Sequence, residues 1–330
     1  MDTGEMIFYV ICCVVAYVLT VPFHEAGHLL CGLLTGYRFS SFRIFSWVWT
    51  YQDGKIHFQK SPTASFIGGQ CLMVPPENEK EFKFVLYNLG GVLINFLLSA
   101  ISLFVLMVRP KDIWNMPFLS LLVMNLVVGL MNIIPFTIND GRNILKALQS
   151  KRAKHGMYIL LKVNAEMAEG KRLRDYNETD FTLCDDDDFT NDFVYSLAVY
   201  AAGRFEDLGE HDKMIKIYDR LDLKKLPAFY ANAVRADYLY YYIIHNPDYE
   251  KAKELYQTKK FSKFLKMPLP SIFRTQLAYD YFVLGEKEKA RDNLPKLEEL
   301  VKNTPSKGTQ LLEQDALDFL KQKITAAELA

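Results

Sequence analysis

The chain has no excess of charge of either sign: 39 Lys and Arg face 39 Asp and Glu, for a formal net charge of zero. No block of basic residues breaks this balance, so a nucleic-acid partner is not expected. Cysteine is scarce and follows no pairing pattern. The five (Cys12, Cys13, Cys31, Cys71, Cys184) are odd in number, and three of them lie in apolar runs where a thiol behaves as a small hydrophobe, so a disulfide framework is not expected. The flank "MDTGEM" carries two acids and no base, and the apolar run after it is too long for a secretory signal. Charge is also sparse over roughly the first 135 residues, whereas the remainder is rich in Lys, Glu, Asp and Tyr.

Three stretches exceed or approach the ~20 residues that cross a bilayer core: about 6–34, with Pro22 expected to interrupt it near its end, 82–108, and a shorter one at 117–134 ending before Pro135. Lys and Arg cluster in the loops after the first span (Arg38, Arg43, Lys55, Lys60, Lys80) and after the third (Arg142, Lys146, Lys151, Arg152, Lys154), against Arg109 and Lys111 between the second and third. By the positive-inside rule the amino terminus is expected outside and the C-terminal region in the cytoplasm, which makes this a multi-pass integral membrane protein.

Within the first span lies "VPFHEAGHLLCG". His24 and His28 are four residues apart and share one helix face, so two imidazoles can meet one metal with Glu25 beside them. Ionisable groups are costly at membrane depth, which favours a functional account of all three. A hydrolytic zinc takes three protein ligands and leaves a fourth position for water, whose pKa falls towards ~7. The cluster lies roughly 27 Å along a helix that starts at Met6, near the cytoplasmic side, and Asp140 follows the third span at matching depth. The expected assignment is His24, His28 and Asp140 as ligands of one Zn2+, with Glu25 as general base. Asp140 also reads as an N-cap of the helix in "DGRNILKALQ", and the two roles are compatible.

"HEAGH" followed by N-x-x-P-x-x-x-x-D-G (Asn132, Pro135, Asp140, Gly141) resembles the site-2 protease family of intramembrane zinc metalloproteases over about residues 6 to 150. The resemblance implies a membrane-embedded peptidase with His24, His28 and Asp140 on zinc and Glu25 in catalysis. "YNLGGVLINFLLS" is similar to the family's second core span, with Gly90-Gly91 where Gly-Pro is the common form, and Asn95 is read as a hydrogen-bonding bridge between helices. "FIGGQCLM" resembles the family's glycine pair in the first loop, here Gly68 and Gly69. Pro135 is expected to break the third helix and free the carbonyl of Met131, with Asn132 as the donor that satisfies it and "FTIND" turned inward.

"FRIFSWVWTYQDGKIHFQ" reads as a hairpin about Asp53-Gly54. Trp47, Trp49 and Tyr51 suit the membrane interface, His57 is read as interfacial and not as a ligand, and an exposed edge here suits pairing with an unwound substrate. After residue 150 the sequence reads as soluble helices. Residues 151–190 are expected to be a helix and a linker, with Asp185 to Asp188 as linker or helix cap. "LGEHDKMIKIYDRL", "NPDYEKAKELYQ" and "LGEKEKARDNLPKL" mark repeat units over 191–330, with turns at Gly209, Pro247 and Gly285 and a period near 38. They resemble tetratricopeptide-like helical pairs, which present a groove to a peptide or protein.

The expected fold is thus an α-helical membrane protein: a three-span catalytic core with a small interfacial β-hairpin, then a soluble all-α repeat-like domain. The expected function is zinc metalloendopeptidase, acting on membrane-spanning or membrane-associated peptides near the cytoplasmic face. The other class the sequence leaves open is a membrane-anchored helical-repeat adaptor with a vestigial zinc site.

Overall fold

The computed structural model describes residues 3–52, 54–60, 68–136, 139–258 and 260–329. Internal contacts divide the chain into two compact units, Met1–Ala165 and Glu166–Ala330, so the division falls inside a helix and not at residue 150.

The first unit is built on three long helices: α1 (Thr3–Leu34), α2 (Phe84–Val108) and α3 (Met116–Ile133). All three are long and apolar enough to cross a membrane. Their polarity is inside out. Thr20, His24, Glu25, His28, Asn88, Asn95, Ser99, Ser102, Ser120 and Asn125 are buried between the helices, while Val14, Leu97, Phe104, Met107 and Met131 point outward, each more than half exposed. Backbones cross closely where side chains vanish: a Cβ on Gly90 would stand 2.3 Å from the carbonyl oxygen of Gly27, and one on Gly27 the same distance from that of Gly90. Two glycines let α1 and α2 touch main chain to main chain.

Contrary to the expectation at Pro22, α1 runs unbroken through it. The proline removes one N–H, but α2 and α3 pack along α1 and hold the turn that an isolated helix would lose. At Pro135 the break does occur: α3 stops at Ile133 and Ile134 is extended (φ −76°, ψ 121°). The segment "FTIND" falls partly outside the described residues, at Thr137 and Ile138.

A four-stranded antiparallel sheet joins α1 to α2, where the sequence pointed only to a hairpin. Its strands are β1 (Arg38–Ile44), β2 (Trp47–Gln52), β3 (Lys55–Lys60) and β4 (Gly69–Val74), in the order β3-β2-β1-β4. The expected hairpin is β2–β3, with Gly54 at φ 77° in its turn; Asp53 lies outside the described residues. Trp47 and Trp49 both contact Phe58 across that pair, with ring centroids 5.2 Å and 5.3 Å apart. "RFSSFRI" and "GQCLMV" do not alternate cleanly and pair across a long connection, which hides β4, while β1 meets β2 through Phe45 and Ser46, a turn without a glycine or asparagine. Two helices complete this unit, α4 (Asp140–Leu148) and the start of α5 (Lys151–Ala168).

The second unit is all helix: α6 (Asp192–Asp207), α7 (His211–Tyr218), α8 (Ala228–Tyr240), α9 (Tyr249–Tyr256), α10 (Phe261–Phe264), α11 (Pro270–Ala278), α12 (Lys287–Lys302) and α13 (Lys307–Leu329). α7, α9 and α12 begin 38 residues apart, and the widened turns Tyr241–His245 and Tyr279–Val283 that close α8 and α11 repeat at the same interval. Gly209 and Gly285 adopt φ 75° and 72°, a left-handed turn that favours glycine. The stretch before α6 is packed, not a free tether: Leu173, Tyr176 and Phe181 are buried, and Arg172 and Arg174 both bind Asp207. Asp187 and Asp188 accept hydrogen bonds from Cys184 and Thr190 in local turns, and Asn191 caps α6. Arg274 lies buried between Glu206 and Glu313, 4.4 Å from the Tyr240 ring centroid.

Candidate metal centre

The core of α1 presents His24 and His28 one turn apart, as their spacing dictates. Each imidazole is fixed from behind. Nδ1 of His24 lies 2.6 Å from Oδ1 of Asn95 on α2, and Nδ1 of His28 lies 2.9 Å from the carbonyl oxygen of Tyr87. A carbonyl only accepts, so His28 carries a proton on Nδ1, and in its neutral form it turns a lone pair outward at Nε2. His24 has the same arrangement when Asn95 presents its oxygen. Gly91 makes room for this ring, since a Cβ there would stand 2.5–2.6 Å from three atoms of the His24 imidazole.

Asp140 meets these two lone pairs. Its Oδ2 is 3.2 Å from Nε2 of His24 and 3.3 Å from Nε2 of His28, and the two Nε2 atoms are 3.2 Å apart. Three electron-rich atoms thus form a nearly equilateral triangle, and Asp140 Oδ2 is buried without a hydrogen-bond partner. One proton placed among them satisfies a single edge and leaves the remaining lone pairs opposed. A cation at the centre satisfies all three together. Tetrahedral zinc with bonds of about 2.0 Å requires ligand atoms about 3.3 Å apart, close to what is found here. The donor set, two neutral imidazoles and a carboxylate, also suits that ion. These three residues form the candidate metal group among those described.

Asp140 reaches this position through a cap that the sequence reading placed one residue late. Asn139 is the N-cap of α4: its Oδ1 accepts from the backbone N–H of Arg142 at 2.9 Å. Its amide donates to the carbonyl of Met131 (2.7 Å), which Pro135 leaves without its helical partner, and to that of Ile134 (2.6 Å), which also accepts from the Phe136 N–H. The expected donor, Asn132, turns back instead to Val128 on its own helix at 3.0 Å. Asp140 is therefore the first residue of α4, relieved of capping. Gly141 lets α4 lie on the end of α3, where a Cβ would stand 2.0 Å from the Ile133 carbonyl oxygen.

Glu25 is buried beside the triangle and accepts a hydrogen bond from the backbone N–H of Cys71 on β4, the sheet edge next to α1. Gly69 gives its carboxylate room, since a Cβ there would stand 2.6 Å from Oε1. Gly68, the other glycine of the pair, has no close neighbour of this kind. Tyr87 ties the sheet to the site: its hydroxyl donates to the Cys71 carbonyl at 2.6 Å while its own carbonyl holds His28. His57 lies exposed on β3, outside the metal group.

Asn95, read as a bridge between helices, links α1 to α3: its amide donates to Oδ1 of Asn125 at 2.9 Å. Tyr87, Asn125 and Asn139 were not among the residues the sequence singled out. For Asn125 a signal existed, an amide inside an apolar span, where polar groups are rare without a partner. Compared with known proteins, the chain matches no family model, no curated protein and no solved structure.

Proposed function

We propose that the chain is an intramembrane zinc metalloprotease that hydrolyses membrane-spanning or membrane-associated peptides near the cytoplasmic face. The observation that carries this reading is the triangle of His24, His28 and Asp140 beside a buried Glu25, inside a bundle whose polar groups face inward and whose apolar groups face outward. In water so much exposed hydrocarbon would be unfavourable, whereas in lipid it is the solvated surface. That pattern supports membrane insertion, and the Lys and Arg distribution supports an amino terminus outside.

His24, His28 and Asp140 would hold the ion. When bound, zinc supplies Lewis acidity to the scissile carbonyl and to the attacking water. Glu25 takes the proton of that water and returns it to the leaving amine. His24, Glu25 and His28 are buried, so protein packing limits the access of bulk water to the site. A helical substrate hides its scissile bond, so a peptide would need to be extended, and β4 runs beside Glu25 as a strand for it to align with. The C-terminal helical pairs would recruit or gate substrate.

The test is co-expression of the protein with a membrane peptide and comparison with Glu25→Gln. Cleavage that stops in the variant while zinc is retained supports the protease. Equal cleavage in both excludes Glu25 as the base, and zinc without cleavage in either points to the adaptor.

A further inference from the structure

We infer that Asn125, which touches neither the triangle nor Glu25, is a positioning residue that fixes the tautomer of His24 through Asn95. This inference deepens the zinc reading and rests on it. A neutral imidazole carries its proton on one nitrogen only, and a zinc ligand must offer the other as a lone pair. His24 is metal-competent at Nε2 only when Nδ1 is protonated. Its sole partner at Nδ1 in the described structure is a side-chain amide, which can rotate by 180° and present either an acceptor oxygen or a donor nitrogen. With the nitrogen forward, Nδ1 would be the acceptor and the proton would move to Nε2, where the metal belongs.

A chain of one-way hydrogen bonds blocks that rotation. It starts at the backbone carbonyl of Leu121, which can only accept. Asn125 donates Nδ2 to it at 2.9 Å, which turns Asn125 Oδ1 towards α2. Asn95 donates Nδ2 to that oxygen at 2.9 Å, which turns its own Oδ1 towards α1 and His24 Nδ1 at 2.6 Å. Both asparagines are 0% exposed, so no water stands in for a lost partner. Each link has one direction, and the direction is set by a main-chain carbonyl on α3 that lies two side-chain amides away from His24. His28 needs no such relay because its Nδ1 faces a carbonyl directly.

A merely structural asparagine would glue α2 to α3 and leave the imidazole indifferent. The two accounts separate in the full-length protein purified in detergent and labelled with 15N at its six histidines. In zinc-free protein the His24 ring should report Nδ1 protonated. Asn125→Leu, which removes both the donor and the acceptor at this buried position, should shift a fraction of His24 to the Nε2-protonated form and weaken zinc binding about 10- to 100-fold in competition with a chelator. Asn125→Asp keeps an acceptor for Asn95, and in its protonated form a donor for Leu121, so it should restore both readings. Asn125→Leu with unchanged tautomer and unchanged zinc affinity would overturn the relay. Unsubstituted protein that binds no zinc would instead sink the metal reading, while the tautomer shift would still be visible.

Discussion

Asn139 serves two helices at once, donating to the Met131 and Ile134 carbonyls at the end of α3 and accepting from the Arg142 N–H in the first turn of α4. Asn139→Ala should orphan the Met131 carbonyl, deprive the Ile134 carbonyl of one of its two donors and uncap α4. At this partly exposed position the cost is about 1–3 kcal/mol, seen as a lower unfolding midpoint in detergent, together with weaker zinc retention. Asn139→Asp keeps the cap but not the donors, so it should recover stability only in part. Zinc retention equal to the unsubstituted protein in both variants would contradict this role. The residues that make the triangle were legible because two lie within one helical turn and the third follows a proline-marked helix end. Asn139 and Tyr87 were not, because their partners are main-chain groups whose identity sequence does not disclose; for Asn125 the amide in an apolar span is visible but its partners are not. Asn132 was assigned the wrong carbonyl for the same reason: an amide near a freed acceptor is a candidate, and only geometry chooses between it and a rival seven residues on.

Elements meet here through glycine. Gly141→Ala places a Cβ 2.0 Å from the Ile133 oxygen, so α4 must slide off the end of α3 and carry Asp140 with it. The expected result is loss of zinc affinity by about tenfold or more, with the circular dichroism of the helices retained. Retained affinity would show that the α3–α4 junction is pliant. Element lengths were read closely from hydropathy, since a bilayer-length apolar run admits little else, and the 38-residue period emerged from turn residues alone. The sheet was half read, because β1 and β4 are paired by distance along the chain and not by a turn signal. Pro22 does not break α1, because a proline weakens a helix in isolation and packing against two neighbours decides whether it breaks.

At the scale of the molecule, the two units differ in what they bury. The first buries polar side chains between apolar helices, and the second buries aromatic and aliphatic ones around a few charges. One of those charges titrates. Burial, and then the neighbouring Glu206, push Asp237 up to about 7 from its ordinary 3.8, against the hydrogen bond from Tyr218. Between about pH 4 and 7 the folded state keeps a proton that the unfolded state releases, so stability falls as pH rises through this window and levels off above it. Asp237→Asn should remove that slope. Asp237 is only half-buried by exposure, so the gain at pH 8 should be modest, about 1–2 kcal/mol. Thermal midpoints of both proteins from pH 4 to 8 check it, and parallel profiles would refute it.

The measurement closest to the central claim is zinc content and X-ray absorption at the zinc edge on the purified chain, beside His24→Ala and Asp140→Ala. One ion per chain is expected, with two imidazole nitrogens and a carboxylate oxygen in its shell, and loss of the ion in both variants. A chain that holds no zinc, or that keeps it with either ligand removed, would contradict the shared site.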